Sequence, residues 1–187
     1  MKATDILKQE HELILVMLQI LDAACAKMEE GETVNREHLA AMVDFIRNFA
    51  DRCHHAKEEK LLFPALRESG IGRENGPIGV MLAEHAEGRF FAKGMGEALE
   101  EIRAGDSVAA GRFIGDAGGY VKLIDGHIMK ENNILFRMAD ERLSDSQQKE
   151  LLKEFDRVER EEIGAGVHET YHDMLNRLRD IYLAVKK

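Results

Sequence analysis

The chain has 187 residues, of which 44% are hydrophobic, a composition typical of one globular domain with a sizeable core. Its 26 Lys and Arg against 35 Asp and Glu give a formal net charge of -9, which argues against nucleic acid or an anionic membrane surface as a partner. With only 2 Pro, no Trp and 6% aromatic residues, the composition indicates an all-helical protein.

The first predicted helix spans about residues 4–29, because its apolar positions recur at alternating spacings of four and three residues. This stripe consists of Leu7, His11, Ile14, Leu18, Leu21, Cys25 and Met28. A second helix is predicted over about residues 36–68. Asn35 is its expected N-cap, and Pro64 is the position where we expect it to kink or end.

Turn residues predict a loop from Ser69 to Pro77, and a third helix follows over about residues 77–104. A fourth helix is predicted over about residues 107–142. Its five glycines lower the stability of the helix, and we expect them to permit the close approach of a neighbouring helix.

A capping box at residues 144–147 opens a fifth helix, which we expect Gly164 and Gly166 to interrupt. No linker rich in Pro, Gly and Ser divides the chain. We therefore predict an all-α fold, an up-down four-helix bundle over residues 1–143. Residues 144–187 are expected to form a C-terminal helical extension packed on the bundle.

Cys25 and Cys53 are too few for a disulfide framework and lie on apolar stripes, so a reducing compartment suits them. The apolar run from Leu13 to Leu21 follows acidic rather than basic residues, which argues against a signal peptide. The run is also too short to span a bilayer. We therefore expect a cytoplasmic protein with neither a membrane nor a nucleic acid as its partner.

Two near-identical decapeptides begin at His54 and His127, and both fit the pattern H-x-x-K-E-x-x-[LI]-L-F. A further histidine precedes each decapeptide at a similar distance. His11 lies 43 residues before His54, and His85 lies 42 residues before His127. The chain therefore contains two copies of one unit, a helix with a histidine followed by a helix with H-x-x-x-E.

Residues four apart on a helix share a face, so His54 with Glu58, and His127 with Glu131, each present two potential ligands together. On a helical wheel, six ionisable side chains fall within or at the edge of the apolar stripes, whereas His55 points the other way. The six are His11, His54, Glu58, His85, His127 and Glu131.

Ionisable side chains that face a core are costly unless a partner satisfies them. A purely structural bundle with hydrogen-bonded core histidines is one interpretation of these six. A dinuclear metal site satisfies all six at once, with imidazoles on each ion and carboxylates between the ions, and we favour it. Mixed imidazole and carboxylate ligands suit iron, and manganese and zinc are alternatives.

The segments H-x-x-x-E-E-x-x-L-F-P from His54 and H-x-x-x-E-N-N-x-L-F from His127 resemble those of the hemerythrin-like (HHE cation-binding) domains. The resemblance is strongest to the bacterial di-iron proteins linked to repair of iron centres, and it covers about residues 5–140. It implies a hemerythrin-like bundle with two oxo- or hydroxo-bridged iron ions, in which Glu58 and Glu131 are the bridges. The ligands that it implies are His11, His54, Glu58, His85, His127 and Glu131.

Oxygen-carrying hemerythrins have a second histidine one turn from the third-helix ligand, where this chain has Arg89 or Met81. The resemblance therefore implies a site without a fifth imidazole, which argues against simple reversible oxygen carriage. It leaves coordination positions for water, oxygen, nitric oxide or a further protein ligand. Arg137 replaces the proline that the family pattern has at this point, a change that we interpret as structural.

The segment from His168 to His172 matches H-E-x-x-H, the helical zinc-protease motif. No strand pattern precedes it, and the wheel puts His168 at the edge of the apolar stripe and His172 beyond it. We favour an ordinary helix flank over a peptidase or a seventh ligand at His168. Arg89 and Tyr120 are candidates to surround the metals, although ordinary packing is the favoured explanation for both.

The leading hypothesis is a non-haem di-iron protein that binds oxygen or nitric oxide for sensing, scavenging or storage, with a protein partner as a further option. The alternative is an iron-handling protein that donates iron for repair of iron–sulfur or di-iron centres. An enzyme that reduces nitric oxide or peroxide needs an electron donor, which the sequence does not show. We therefore favour a metal- and gas-binding protein over an enzyme and assign no catalytic residue.

Overall fold

The computed structural model describes residues 1–72, 76–106, 108–164 and 166–184. Within these ranges the chain is almost entirely helical and has no strand, which confirms the predicted all-α class. The helices are α1 (Ala3–Glu29), α2 (Arg36–Phe45), α3 (Phe63–Glu68), α4 (Pro77–Ala104), α5 (Ala109–Lys130), α6 (Phe136–Arg142), α7 (Asp145–Val158) and α8 (Val167–Tyr182).

Segments of π-helix, in which a backbone N–H binds the carbonyl five residues earlier, join several of these helices end to end. They are π1 (Ile46–His55), π2 (Glu58–Leu62), π3 (Glu131–Leu135) and π4 (Glu159–Ile163). As a result α2 continues through π1 and π2 into α3, and α5 continues through π3 into α6. The continuous helix therefore does not end at Pro64, which lies in the first turn of α3.

The helix ends follow the predicted caps. The Asn35 side chain accepts a hydrogen bond from the Glu37 N–H at 2.9 Å, which caps α2. Ser144 caps α7 in a capping box with Gln147. Gly164 has a φ of 100° that ends π4, which confirms the predicted interruption.

Some predicted segments extend beyond the described residues. The predicted loop contains residues 73–75, the predicted start of the fourth helix is residue 107, and the predicted extension ends with residues 185–187. These positions lie outside the described residues.

Four long helices form the bundle: α1, the α2–α3 helix, α4, and the α5–α6 helix. Each contacts its two neighbours around a ring, so α1 packs on α2 and α5, and α4 packs on the same two. Only part of the glycine prediction is confirmed. A Cβ added at Gly119 would overlap the Phe91 ring of α4, whereas nothing lies within 4 Å of the position of a Cβ at Gly111, Gly115 or Gly118.

The last two helices pack on the bundle, since α7 and α8 both contact α1, and α8 also contacts α2. Polar contacts fix this arrangement. The Tyr171 hydroxyl donates a hydrogen bond to Asp44 at 2.8 Å, and the Tyr182 hydroxyl lies 2.9 Å from Nδ1 of His38. None of the helices in the described part of the chain is both long enough and apolar enough to cross a bilayer.

The bundle interior contains two separate hydrophobic clusters with a polar layer between them. On α1, Leu7 belongs to one cluster and Ile14 to the other, and His11 lies between the two. On the α5–α6 helix, Ile128 and Leu135 flank Glu131 in the same way. All four helices therefore contribute ionisable side chains to one layer across the middle of the bundle.

Candidate metal centre

The structure brings all six predicted site residues into this polar layer. Each has a solvent-exposed fraction of 1% or less, although ionised side chains are almost never so deeply buried without a partner. They come from α1, π1, π2, α4, α5 and π3, in the order His11, His54, Glu58, His85, His127 and Glu131.

The ligand atoms of the layer form two groups of four residues, and within each group they lie within 4.8 Å of one another. Glu58 belongs to both groups. Glu131 also faces both, since its Oε2 is 3.1 Å from Nε2 of His11 and its Oε1 is 3.3 Å from Nε2 of His127. The first group is His11, His54, Glu58 and Glu131, and the second is His55, Glu58, His85 and His127.

The buried carboxylates lack the hydrogen bonds that they would need in a purely structural role. Both oxygens of Glu58, both oxygens of Glu131 and Nε2 of His11 have no hydrogen-bonding partner in the described part of the chain. Such orphaned groups are rare in native interiors because each carries a desolvation penalty. A donor set of imidazoles and unpaired carboxylates fits a metal cation.

Burial and mutual repulsion set the ionisation of the two carboxylates. Burial raises the pKa of Glu58 well above its ordinary value, and the negative charge of Glu131 raises it further. Burial alone would raise the pKa of Glu131, but the neighbouring imidazoles of His127 and His11 outweigh burial and lower it. In the metal-free layer Glu58 therefore holds a proton more readily than Glu131 does.

His55 is a member of the second group that helical-wheel reasoning missed. The wheel pointed it away from the core, but it is 4% exposed and its ring stacks on that of His85 at 3.9 Å between centroids. A wheel with a fixed angle of 100° per residue fails here because His54 and His55 end π1, whose turns are wider. His55 thus places a fifth imidazole in the layer, where the resemblance implied none.

The Nδ1 atom of each predicted histidine ligand is hydrogen-bonded to an oxygen, with distances between 2.7 and 2.9 Å. The acceptors of His11, His54, His85 and His127 are, in that order, Asn132, Glu10, Glu59 and Glu84. Carboxylate and amide oxygens accept, so Nδ1 carries the proton in these pairs, and in the neutral imidazole Nε2 keeps its lone pair. Such outer partners fix the tautomer and the orientation of metal-binding imidazoles.

The outer hydrogen bonds repeat with the internal duplication. Glu10 and Glu84 each precede a lone histidine, and each binds the histidine that begins the decapeptide of its own half. The lysine of each H-x-x-K-E pattern donates to the glutamate that binds the histidine of its own half. Lys57 donates to Glu10, and Lys130 donates to Glu84. The similar spacing of these residues in the two halves thus gives each half the same series of hydrogen-bonded Lys, Glu and His side chains.

The Lys57–Glu10–His54 series is much more deeply buried than the Lys130–Glu84–His127 series. Lys57 is completely buried and also contacts Glu159 at 2.6 Å, whereas the side chain of Lys130 is 40% exposed. Burial alone would raise the pKa of Glu10, but the hydrogen bond from His54 and the charge of Lys57 lower it to about 2. Burial also lowers the pKa of His54 to about 4, so its imidazole is neutral at pH 7.

Arg89 occupies the position where oxygen carriers have a further histidine, and it does not reach the two groups. Its guanidinium donates hydrogen bonds to Asp51 at 2.8 Å and to Glu59 at 2.7 Å. Glu59 in turn accepts from Nδ1 of His85 at 2.7 Å. Arg89 therefore orients the partner of a candidate ligand.

The C-terminal H-E-x-x-H motif lies outside the central layer. His168 is near Glu10 and Glu159, with one ligand atom from each within 4.8 Å of the others. The ammonium group of Lys57 already contacts both of these carboxylates. A buried ammonium supplies the positive charge there, so the contacts of His168 do not resemble those of the central groups.

Comparison with protein families identifies the bundle. The model of the hemerythrin HHE cation binding domain matches residues 2–139. The chain belongs to this family. It is therefore a hemerythrin-like metal-binding domain, and its buried His and Glu groups are able to hold a metal ion.

Two relatives extend the comparison. The iron-sulfur cluster repair protein YtfE of Edwardsiella ictaluri is 30% identical over 140 residues, which are 70% of this chain and 60% of that protein. The uncharacterized protein Rv1995 of Mycobacterium tuberculosis is 21% identical over 180 residues, 96% of this chain and 68% of that protein. No solved structure gives a significant match to the chain.

Proposed function

We propose that the chain is a non-haem di-iron protein that binds a small diatomic ligand, oxygen or nitric oxide, and acts to sense, scavenge or store it. The observation that supports this is the position of Glu58, an unpaired buried carboxylate that belongs to two groups of metal-ligand atoms. In this proposal two iron ions are held by His11, His54, Glu58, His85, His127 and Glu131. Glu58 and Glu131 are the bridging residues.

Iron would supply coordination and one-electron chemistry at this site. The contribution of the chain is to hold each Nε2 lone pair towards the centre through the outer Nδ1 hydrogen bonds. The hydrophobic clusters above and below the layer exclude water from it. We also propose His55 as a ligand, because it belongs to the second group.

The second candidate is an iron-handling protein that donates iron for the repair of iron–sulfur or di-iron centres. It is supported by the similarity to a relative described as an iron-sulfur cluster repair protein, of which the chain spans 60%. Both candidates use the same ligands. They differ in whether the iron is retained or released.

We propose that residues 144–187 are an extension to the family domain, since the family match ends at residue 139. We also propose that the protein acts in the cytoplasm, because Cys25 and Cys53 are buried free thiols. In this view neither nucleic acid nor a membrane is a partner.

Elemental analysis of protein purified without oxygen from iron-replete cells tests the metal centre. We expect about two irons per chain and an oxo-bridged charge-transfer band after air is admitted. The His54→Ala, His127→Ala double variant should lose this iron, and His168→Ala should retain it. Iron that survives the double variant, or a single zinc that is lost with His168→Ala, would contradict the proposal.

A transfer assay separates the two candidates. The iron-loaded chain is mixed with an apo iron–sulfur protein and then separated from it, and the iron in each is counted. If the chain keeps its iron and binds oxygen or nitric oxide reversibly, the first candidate is supported. Transfer of most of the iron would support donation instead.

A further inference from the structure

A cavity of about 250 Å³ opens beside the metal centre and reaches it at His55. His55 lines this cavity and also belongs to the second group of ligand atoms. The cavity lies just below the roughly 300–1,000 Å³ of sites for drug-sized ligands, so a small molecule fits in it together with water. Its lining residues come from π1, α4 and α5.

Tyr120 contributes an unpaired donor to this cavity. Its side chain is only 2% exposed, and its hydroxyl makes no hydrogen bond to any residue of the described ranges. Burial raises the pKa of Tyr120, so the hydroxyl keeps its proton at neutral pH. The hydroxyl is not among the fully buried unpaired atoms of the described residues, so it is reached from the cavity and is available to an acceptor there.

The other charged groups of the cavity are mainly positive. Arg47, Arg89 and Lys93 line it, and Asp51 is the carboxylate that lines it with them. Asp51 is already paired, because it accepts a hydrogen bond from Nε of Arg89 at 2.8 Å. Arg89 also binds Glu59, and Lys93 lies 3.6 Å from Glu97, so these two cations are neutralised by neighbouring carboxylates.

Arg47 is the cation with unused capacity. Its Nη2 donates to the Ala92 carbonyl at 3.2 Å, and no carboxylate of the described residues lies within ion-pair distance. A Cβ at Gly96 would overlap the guanidinium, so the glycine leaves the space in which Arg47 lies along α4. A planar guanidinium with free N–H groups matches the two oxygens of a planar anion.

We propose that this cavity binds a small planar oxyanion, a carboxylate or nitrite, with Arg47 and the Tyr120 hydroxyl as donors, next to His55. The inference adds a second class of ligand to the proposed function. It rests on that function only in placing the anion next to metal ions bound by His55 and the other ligands. Binding of the anion itself uses side chains that are in place without metal. Failure of one proposal is therefore distinguishable from failure of the other.

The test uses the metal-free full chain with ¹³C-labelled tyrosine. The three tyrosines give few ring signals, and Tyr120→Phe assigns the one that belongs to Tyr120. Sodium formate and sodium nitrite are titrated separately, with sodium chloride as the control for ionic strength. We expect a saturable shift of the Tyr120 signal with formate or nitrite. The anion that binds with the higher affinity shows whether the cavity prefers an organic carboxylate or inorganic nitrite.

Arg47→Gln should weaken binding of that anion by roughly tenfold, the effect of losing one charge-assisted hydrogen bond. Arg47 is exposed, so the variant is expected to fold, and circular dichroism checks this. Arg177→Gln removes the same charge from an exposed position on α8 and should leave binding unchanged. An equal shift in chloride, no saturable shift, or undiminished binding by Arg47→Gln would overturn the proposal.

Discussion

Glu58 and Glu131 are two fully buried carboxylates with oxygens within 4.8 Å of each other, and neither accepts a hydrogen bond from the described residues. They face each other across the middle of the bundle, on π2 and π3. Without a cation between them, one of the two must take up a proton or both must repel. The arrangement that suits a metal therefore lowers the free energy of unfolding of the metal-free protein.

We predict that Glu58→Gln stabilises the metal-free protein at pH 7.5 by about 1 to 3 kcal/mol while it abolishes metal binding. The pKa of Glu58 is raised by burial and then by Glu131, above its ordinary value of 4.5. Above pH 4.5 the unfolded chain loses this proton and the folded chain keeps it, so the free energy of unfolding falls as pH rises.

Urea unfolding of the metal-free protein at pH 5 and pH 7.5 measures this dependence. The variant should lose the part of the pH slope that Glu58 contributes. The control is Glu87→Gln, an exposed position within α4, which should change neither the stability nor the slope. A less stable Glu58→Gln protein at pH 7.5 would argue against the buried-acid explanation.

The two lysines of the internal repeat should differ in their effect on stability. Lys57→Met should lower the free energy of unfolding by about 3–5 kcal/mol, because it leaves the buried carboxylate of Glu10 without its cation. Lys130→Met should cost less than about 1 kcal/mol, because its pair with Glu84 is partly exposed. Equal losses in urea unfolding of the two metal-free variants would contradict the role of burial.

The outer hydrogen bonds should tune metal affinity. Glu84→Ala removes the acceptor of the Nδ1 proton of His127, which lies 2.9 Å away. We expect a loss of roughly 10- to 100-fold in iron affinity, measured by competition with a chelator, with the helical circular dichroism unchanged. Glu87→Ala, one turn along α4 and exposed, is the matched control and should bind iron as the parent does.

Two glycines of α5 should respond in opposite ways to alanine. Gly115→Ala should stabilise the protein by up to about 1 kcal/mol, because nothing lies within 4 Å of the added Cβ. At Gly119 the added Cβ overlaps the Phe91 ring, which has to move. We expect Gly119→Ala to be at least about 1 kcal/mol less stable than Gly115→Ala in urea unfolding. Similar stabilities would show that α4 and α5 adjust without cost.

Sequence periodicity predicted the helices and the polar layer because both depend on which face of a helix is apolar. The bounds of α1 and α4 and the continuous α2–α3 helix agree closely with the predicted ranges. The six predicted side chains share one layer because the internal repeat gives both halves the same spacing. These features are local, so they are readable from one chain.

The contacts that sequence reasoning missed depend on three-dimensional geometry. His55 faces the centre because π1 widens the turn, and a wheel with a fixed angle does not represent that change. Glu10 and Glu84 orient histidines more than 40 residues away, so no local spacing connects them to their partners. A signal for these contacts was available in the sequence. Both decapeptides have a lysine directly before the glutamate of the H-x-x-K-E pattern, and this lysine binds Glu10 or Glu84.

The polar layer divides the apolar interior into two cores in series, one on each side of the candidate centre. The layer between the two cores consists of buried His and Glu side chains. Metal ions bound by residues of all four helices would connect the two cores through this layer. Amide hydrogen exchange should then report two opening units in the metal-free protein and one in the loaded protein.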